Sequence, residues 1–491
     1  MMNVMRVGSG RARHRRVRPA RPGGAIAGLA LLLGGCSFAP AYQRPAAPVA
    51  PVFAAAEPGG PSIAGIGWRD FFTDPELRAV IETALANNRD LRVAMGRISE
   101  ARAQYRIQAA ALLPAVDGVA GGTRSHVPAD LSVTGQAITA NQFRSALSLG
   151  WEIDFWGRLR NLRTAALERY LATEEARRGV ETSLVAQVAT TWLAAHEYNE
   201  RIALAERTIA SRAESYRIAR RRFEVGSGSK LDMTQAETLL TQAQTSVQAL
   251  QQARDEARNA LTLLAGTTYD PGPRSLHLAD TEVDPPLPAG LPADLLFNRP
   301  DILAAEHELI AAHADIGAAR ANFFPNIILT GDFGTASAAL DDLFGHGQRS
   351  WSFSPTVSLP LFDAGRNRAG LALAEARRDI AVATYEKVIQ AAFRDVADAL
   401  ARRKWLAGQI ASTRRTLAAL DERERLAQLR YASGRSAYLE VLEAERDRFE
   451  TEQAVVQLRR AYLTSGVSLY AALGGGFPEQ PATQPRNGRT E

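Results

Sequence analysis

Few residues of this 491-residue chain have the type and spacing that chemistry requires. Lys230 ends the run GSGSK, but a phosphate-binding loop needs GxxxxGK followed by Ser or Thr, and Leu231 comes next. His307 and His313 are six positions apart, on different faces of a helix, and no HExxH motif accompanies them. No Ser/His/acid or Cys/His arrangement has supporting context. The sequence therefore predicts no catalytic site, no metal site and no bound cofactor, and the protein is not expected to be an enzyme.

Cys36 is the single cysteine of the chain, so no internal disulfide can form. It follows seven arginines, the apolar run AIAGLALLL and the small residues Gly34 and Gly35. That run is too short for a transmembrane helix, which needs about 20 residues. These features predict a lipoprotein signal peptide over residues 1–35, after which Cys36 carries the covalent lipid (palmitate). Ser37, where an aspartate would favour the inner membrane, indicates sorting to the outer membrane.

The charge balance changes once this signal is set aside. Removing its seven arginines takes the basic residues from 58 to 51, against 53 acidic residues, and the formal net charge from +5 to −2. The basic excess thus lies in the signal, and no nucleic-acid partner is expected.

The remaining chain contains an internal repeat. The stretch FEVGSGSKLDMTQAE (223–237) returns 208 positions later as YASGRSAYLEVLEAE (431–445). Other pairs of segments align at offsets of 208 to 211, including WEIDFWGR with LPLFDAGR. The predicted organisation is listed in chain order: an extended N-terminal arm (36–74), a first repeat (75–266), a Pro-rich connector (267–288), a second repeat (289–474) and a disordered tail (475–491).

Each repeat predicts one very long helix and a shorter one that returns beside it. Residues 158–225 and 366–433 contain no proline and are rich in good helix formers. A helix of about 65 residues is roughly 100 Å long at 1.5 Å per residue, so such helices must pack lengthwise in a bundle or tube. In the second repeat, apolar residues recur at alternating spacings of four and three positions, the pattern of the contact stripe, or seam, of a coiled coil. They are Tyr385, Ile389, Ala392, Val396 and Ala399.

The repeated turn is the predicted tip of this helical hairpin. Gly226 and Gly434 suit the left-handed position that ends a helix, and Ser229 has the spacing to cap the next helix at Asp232. In the second copy, Glu440 and Glu443 are three apart and share a helix face. A ring of such carboxylates attracts cations.

Other segments alternate with a period of two, as strands do. Residues 143–155 and 350–361 place aromatic and aliphatic side chains at odd positions against small or polar ones at even positions. Residues 325–335 are a third candidate strand and 114–123 a weaker fourth. The length and pattern suit membrane β-strands, and the lipoprotein signal favours them over a soluble sheet. Four strands cannot close a barrel, so several chains must pool them: a trimer gives 12 and a dimer 8.

These residues resemble the outer membrane factor family, the TolC-like efflux channels, and in particular its NodT-type lipoproteins. The segments that carry the resemblance cover nearly the whole mature chain and include CSFAPAYQRP, SLPLFDAGRNRAG, YLEVLEAER and LYAALGGG. The resemblance implies a mainly α fold with membrane β: a homotrimer with a 12-stranded outer-membrane β-barrel continuous with a long periplasmic α-helical barrel. It also implies a passive exit duct for small molecules in a tripartite system.

The same resemblance implies roles for the hairpin tips. In the family, the second-repeat hairpin bends inward and closes the periplasmic entrance. Carried over to this chain, Leu439 and Glu443 form the constriction, Glu440 lies beside them, and Arg446 is a nearby cation able to hold the closed state. Relatives often carry Asp at the position of Glu443, which leaves the width of the aperture open. The residues at the tips expected to dock a periplasmic adaptor are Gly226, Ser229, Asp232, Gly434 and Ser436.

The partners implied are other copies of the chain, a periplasmic adaptor (membrane fusion) protein, an inner-membrane pump of the RND type and outer-membrane lipid. Two alternatives stay open from sequence: a duct for protein secretion, and a periplasmic coiled-coil scaffold lipoprotein without a pore. The scaffold would leave the period-two segments without a role.

Overall fold

The computed structural model describes residues 38–49, 66–268, 278 and 292–475. The chain divides into two compact units. Of the described residues, the first unit comprises those within Met1–Ala39, Ala111–Asn161 and Gly317–Asn367, and the second comprises those within Pro40–Ala110, Leu162–Ile316 and Arg368–Glu491. Cys36, most of the Pro-rich connector and the C-terminal tail beyond residue 475 lie outside the described residues.

The first unit contains a four-stranded antiparallel sheet in the order β1-β2-β3-β4. The strands are β1 (Ala115–Val127), β2 (Ile138–Ile153), β3 (Asn326–Ser337) and β4 (Arg349–Ser358). All four predicted strands are confirmed, and the structure extends β1 and β2 toward the turn that joins them. The Gly-rich β1 carries little alternation of apolar and polar residues, which is why its length was hard to predict. Strand β4 ends at Ser358, just before the Leu-Pro-Leu run that the pattern had included.

The register gives this sheet one polar and one apolar face. Asp332 pairs with Ser148 on β2 and with Ser352 on β4, in a row that begins at Asp117 of β1. The next residue of β3, Phe333, pairs with Leu147 and Trp351. Because neighbouring residues of a strand point to opposite faces, the aromatic row lies on the face opposite the polar row. Within the polar face, Arg144 forms an ion pair with Asp332, and the Ser352 hydroxyl donates to the same carboxylate at 3.1 Å.

The four hairpin helices were predicted with nearly the observed lengths. In chain order the helices of the described residues are α1 (Trp68–Phe71), α2 (Pro75–Asn87), α3 (Arg89–Ala110), α4 (Arg158–Glu224), α5 (Lys230–Ala265), α6 (Pro292–Asn298), α7 (Pro300–Ala321), α8 (Arg366–Ala432) and α9 (Tyr438–Ala472). Helices α4 and α8 have 67 residues each, and the returning helices α5 and α9 have 36 and 35. We call α4 with α5 the first hairpin and α8 with α9 the second hairpin. Helix α1 falls within the range that was predicted as an extended arm.

The core of the second unit is built from several helices. The predicted seam of α8, Tyr385 to Ala399, is confirmed, since each of its five residues is at most 3% exposed. It joins a cluster with Ile81 of α2, Trp192 of α4 and Tyr470 of α9. Burial of these side chains, rather than helix propensity, is what stabilises such long helices.

Within the second unit, the arm that follows the predicted signal is held against α7 by a buried carboxylate. Arg44 donates from Nε and Nη2 to the two oxygens of Glu306 on α7, at 2.7 Å each, and the Tyr42 hydroxyl donates at 2.8 Å. Among the described helices, none has the length and apolar character needed to cross a membrane.

Candidate functional site at the hairpin tips

The tip of the first hairpin forms as its residues predict. Helix α4 ends at Glu224 and Gly226 adopts φ 73°, while the Ser227 amide donates to the Arg222 carbonyl at 2.8 Å. The Ser229 hydroxyl then accepts from the Asp232 amide at 3.0 Å and caps α5. Glycine and serine thus satisfy backbone groups that the helix ends leave open.

The tip of the second hairpin has the same glycine but lacks the cap. Gly434 has φ 70°, and the Arg435 amide donates to the Arg430 carbonyl at 2.9 Å. The residue before α9 is Ala437, whose side chain has no oxygen to accept from the first turn. Among the described residues, the Ser436 hydroxyl has no hydrogen-bond partner. The first turn of α9 is therefore held less firmly than that of α5.

The two predicted gate acids face arginines of the neighbouring helix. The nearest approach of Glu440 to Arg430 is 3.6 Å, and that of Glu443 to Arg423 is 3.8 Å. Both distances exceed those of a good hydrogen bond, and both carboxylates are about 45% exposed. Leu439, between the turn and these acids, is 42% exposed. The acids are thus only weakly compensated within one chain.

Arg446, expected as the cation of the closed state, bonds to its neighbour in sequence. Its Nη2 lies 2.9 Å from Asp447, and this bond raises the pKa of the guanidinium, with smaller contributions from Glu450 and Glu443. Asp447 also forms an ion pair with Arg423, whose Nη1 lies 2.7 Å from Oδ2 of the aspartate. The structure therefore brings Glu443, Asp447, Arg423 and Arg446 into one group of charges.

Arg423 and Arg430 were not among the predicted site residues, although the sequence carries a signal for them. In an antiparallel hairpin, residues equally far from the turn lie opposite each other. Arg430 is five positions before Arg435 and Glu440 five after it, while Arg423 and Asp447 are each twelve positions away. A search for opposite charges at equal distances from the turn would have found both pairs.

The described ion pairs of the first hairpin have a different arrangement. Near its tip they join residues of α4 to one another, as in Arg217 with Glu214 at 2.6 Å and Arg220 with Glu224 at 3.0 Å. Pairs within one helix do not tie the two arms of a hairpin together. The difference in acidic content between the tips thus accompanies a difference in how their helices are joined.

Aromatic residues connect the two hairpins. Arg222 of α4 bonds to the Tyr431 hydroxyl of α8 and lies 5.3 Å from the centre of its ring. Tyr431 packs on Tyr438 with ring centres 4.9 Å apart, and burial raises the pKa of the Tyr438 hydroxyl while the nearby Ser215 of α4 lowers it. These tyrosines therefore pack between the two hairpins.

The remaining candidates for chemistry are structural. His307 of α7 bonds through Nδ1 to Glu168 of α4 at 2.7 Å, and this bond raises the pKa of the imidazole. The ring of His313 packs edge-on against Tyr42. Within the described ranges, no group of three or more His, Cys, Asp or Glu residues is placed to hold a metal ion.

A sheet with one apolar and one polar face, together with paired helical hairpins of this length, defines the protomer of a TolC-like outer-membrane channel. The chain belongs to the outer membrane efflux protein family, whose model matches residues 80–267 and 291–475.

Individual proteins resemble the chain over almost their full length. The solvent efflux pump outer membrane protein SrpC of Pseudomonas putida is 44% identical over 460 residues, which cover 91% of this chain and 97% of SrpC. The outer membrane protein OprJ of Pseudomonas aeruginosa is 44% identical over 461 residues, covering 92% and 95%. The open state of the MtrE outer membrane channel of Neisseria gonorrhoeae superposes with a TM-score of 0.82 at 35% identity, covering 90% of this chain and 98% of MtrE.

Proposed function

We infer that this outer-membrane efflux protein is the channel subunit of a tripartite efflux system, a passive exit duct for small molecules that catalyses no reaction. An inner-membrane pump, which we propose to be of the RND type, would drive export through a periplasmic adaptor. SrpC, named as part of a solvent efflux pump, supports the small-molecule duct over a protein secretion duct.

The observation that best supports this proposal is that the two terminal strands of the sheet each have an unpaired edge. Among the described residues, β1 pairs only with β2 and β4 only with β3, so one edge of each is open. Open edges are not tolerated in lipid, because unpaired backbone amides and carbonyls find no partner there. We propose that three copies join β4 to β1 into a closed barrel of 12 strands, with the row of Phe333 toward lipid and the row of Asp332 toward the pore. A scaffold without a pore would leave this two-faced sheet unexplained.

We further propose that the second hairpin carries the periplasmic gate. In a trimer, Glu440 and Glu443 would supply six carboxylates around the entrance, beside three copies of Leu439. The long distances to Arg430 and Arg423 support this role, since carboxylates that are not held in close ion pairs remain free to attract cations. Arg446 would then act through Asp447 in holding the group together.

The adaptor is proposed to dock at the tips, at Gly226, Ser229, Asp232, Gly434 and Ser436, of which the two glycines and Ser229 are exposed and the other two partly exposed. The lipid on Cys36 remains a prediction, since this residue lies outside the described part of the chain. It would hold the N-terminal arm at the outer membrane.

Single-channel conductance of the full-length protein in a planar bilayer tests the proposal. The wild type is expected to show a small, cation-preferring conductance. The double variant Glu440→Ala/Glu443→Ala is expected to conduct more and to lose cation preference. The control is Glu214→Ala/Glu422→Ala, which removes two exposed acids that pair with arginines of their own helices.

The outcomes separate the parts of the proposal. An equal conductance in the gate variant and the wild type would keep the channel but reject Glu440 and Glu443 as the gate. If neither the wild type nor the gate variant conducts, although both form oligomers, the proposal of a duct is rejected.

A further inference from the structure

Two exposed arginines lie on the aromatic face of the sheet, at the end where loops 128–137 and 338–348 join the strands. Arg124 is three positions before the end of β1, and Arg349 is the first residue of β4. Arg349 is two positions from Trp351, so both side chains point to the same face. Arg124 is six positions from Gly118, which pairs with Leu147 of the aromatic row. The face that the proposed barrel turns toward lipid therefore ends in cations.

These cations begin where the apolar band of this face ends. Along β4, the face carries Val357, Phe353 and Trp351, which are 66%, 60% and 73% exposed. Val357 and Arg349 are eight positions apart, which is about 27 Å along a strand. At a strand tilt of about 40°, this is roughly 20 Å in height, close to the apolar band of about 25 Å that membrane barrels have. Arg349 thus lies near the level of the lipid headgroups, where an arginine costs little.

The two faces of the sheet differ in how their arginines are compensated. On the polar face, Arg144 forms an ion pair with Asp332. In the part of the chain that the structure describes, neither arginine of the aromatic face forms an ion pair. The contact of Arg349 is with the ring of Phe333, whose centre lies 5.9 Å from the guanidinium carbon. An anion from outside the chain can therefore bind these arginines without breaking an existing pair.

Closure of the barrel would gather these cations at the junction between two copies. There, β4 of one copy pairs with β1 of the next. Arg349 is nine positions from Ser358, and Arg124 is nine positions from Ala115, the ends of the two strands that adjoin helices. Matching these ends sets the two arginines opposite each other. Because one face must stay toward lipid, a stagger changes this register in steps of two positions, and one step sets Arg349 opposite His126.

His126 is a third possible donor on this face. It is exposed, two positions from Arg124, and its Nδ1 lies 2.7 Å from Oγ1 of Thr139 on β2. Like charges directly opposite each other on neighbouring strands are destabilising, so an anion between them is favoured. The planar guanidinium group matches the geometry of phosphate oxygens and binds them through two parallel hydrogen bonds.

We propose that each junction of the barrel binds a phosphate group of an outer-leaflet lipid headgroup, between Arg349 of one copy and Arg124 and His126 of the next. This inference rests on the proposed barrel, in which the copies meet β4 to β1. A phosphorylated lipid matches both parts of the surface: its acyl chains lie along the row of Phe333 and Trp351, and its phosphate meets the cations beyond that row. A free anion would match the cations alone.

Binding of lipid A to the full-length oligomer, measured by native mass spectrometry after delipidation in detergent, tests the inference. The wild type is expected to bind one bisphosphorylated lipid A per junction, more tightly than lipid A without its phosphates. Arg124→Gln/Arg349→Gln should weaken binding of the phosphorylated form about tenfold or more and leave the phosphate-free form unchanged. Arg124→Lys/Arg349→Lys keeps both charges and should bind more tightly than the glutamine variant.

Two controls identify the face and the source of the phosphate. Arg144→Gln removes an arginine from the opposite face of the same sheet and should bind lipid A as the wild type does. Inorganic phosphate, at the same concentration of phosphate groups, should not displace lipid A. If it does so completely, the site binds a free anion and the proposed lipid is wrong.

Two further results would overturn the inference. One is equal affinity of the wild type and Arg124→Gln/Arg349→Gln for bisphosphorylated lipid A. The other is equal affinity of the wild type for lipid A with and without phosphates. If the double variant does not assemble, Arg124→Gln and Arg349→Gln are measured singly, and wild-type affinity in both contradicts the site.

Cross-linking tells failure of this inference apart from failure of the barrel. Cys36 is the single natural cysteine, so an introduced pair reports on the junction. Arg349→Cys, combined with Arg124→Cys or with His126→Cys, should form a disulfide between copies, because opposite residues of paired strands are close enough for one. A cross-linked trimer without phosphate-dependent lipid binding keeps the barrel and rejects the lipid site. If neither pair cross-links, the junction itself is rejected.

Discussion

Gly226 and Gly434 lie 208 positions apart and adopt the same left-handed backbone conformation, with φ of 73° and 70°. The pairs Gly157/Gly365 and Gly266/Gly474, which align at the same offset, also have positive φ. Because side chains with a Cβ rarely adopt this conformation, these glycines define where each helix of a repeat begins or ends. The duplication is thus preserved in the backbone even where the side chains have diverged.

The first prediction concerns Gly434. Gly434→Ala should lower the free energy of unfolding by about 1 to 2 kcal/mol, because alanine disfavours the left-handed conformation. A Cβ at this position would meet no other atom within 4 Å, so the cost is conformational rather than steric. Thermal or denaturant unfolding of the detergent-solubilised oligomer measures it.

Gly408→Ala is the matched control for this prediction. Gly408 lies inside α8 with helical backbone and also has open space around it. Alanine there should be neutral or should stabilise by about 0.5 to 1 kcal/mol. Equal effects of the two substitutions would mean that the conformation at Gly434 does not limit the residue type.

The second prediction concerns the N-terminal arm. Arg44→Ala removes two charge-assisted bonds from Glu306, whose side chain is 9% exposed, and leaves this carboxylate with Tyr42 alone. We expect a loss of about 1 to 3 kcal/mol, below the range for fully buried pairs because the Arg44 side chain is 36% exposed. Limited proteolysis of residues 38–49 should become faster in this variant.

Arg69→Ala is the control for the arm. Arg69 pairs with Glu82 at 3.2 Å, and both side chains are more than half exposed, so little should change. If cleavage of the arm is as slow in Arg44→Ala as in the wild type, the bonds to Glu306 do not hold it.

The third prediction is a pH dependence from His307. Its bond to Glu168 raises the pKa of the imidazole above the ordinary 6.5. The stabilisation by this pair is therefore fully present below pH 6.5 and is lost as the pH rises through the raised pKa. The melting temperatures of the wild type and His307→Gln should differ at pH 6 and converge at higher pH.

His346→Gln, at an exposed loop position, should follow the wild type across this range. A constant difference between His307→Gln and the wild type from pH 6 to 9 would show that His307 contributes by packing and not by its charge.

Much of the fold could be predicted because it is encoded locally. The long helices follow from the absence of proline, their ends from Gly226 and Gly434, and the seam of α8 from the spacing that begins at Tyr385. The strands follow from alternation, which is why the Gly-rich β1 had the weakest signal. Each of these signals lies within a few residues of the feature it determines.

The acidic tip at Glu440 and Glu443 could be located from the sequence. Its partners Arg430 and Arg423 can be found there only by assuming an antiparallel hairpin and comparing charges across its turn, because no local pattern joins the two helices. The pairing of Arg44 with Glu306 joins residues 262 positions apart. No local pattern relates two such residues.

By itself, the sequence determined the repeat, the lengths of the helices, the positions of the turns and the two faces of the strands, since each depends on backbone conformation and residue period. The tertiary structure decided which side chains meet: Arg44 on Glu306, Arg222 on Tyr431, and how closely the arginines of α8 approach the acids of α9. The physical reason is that burial and charge compensation depend on distances in space, and the chain brings these residues together only when its helices pack.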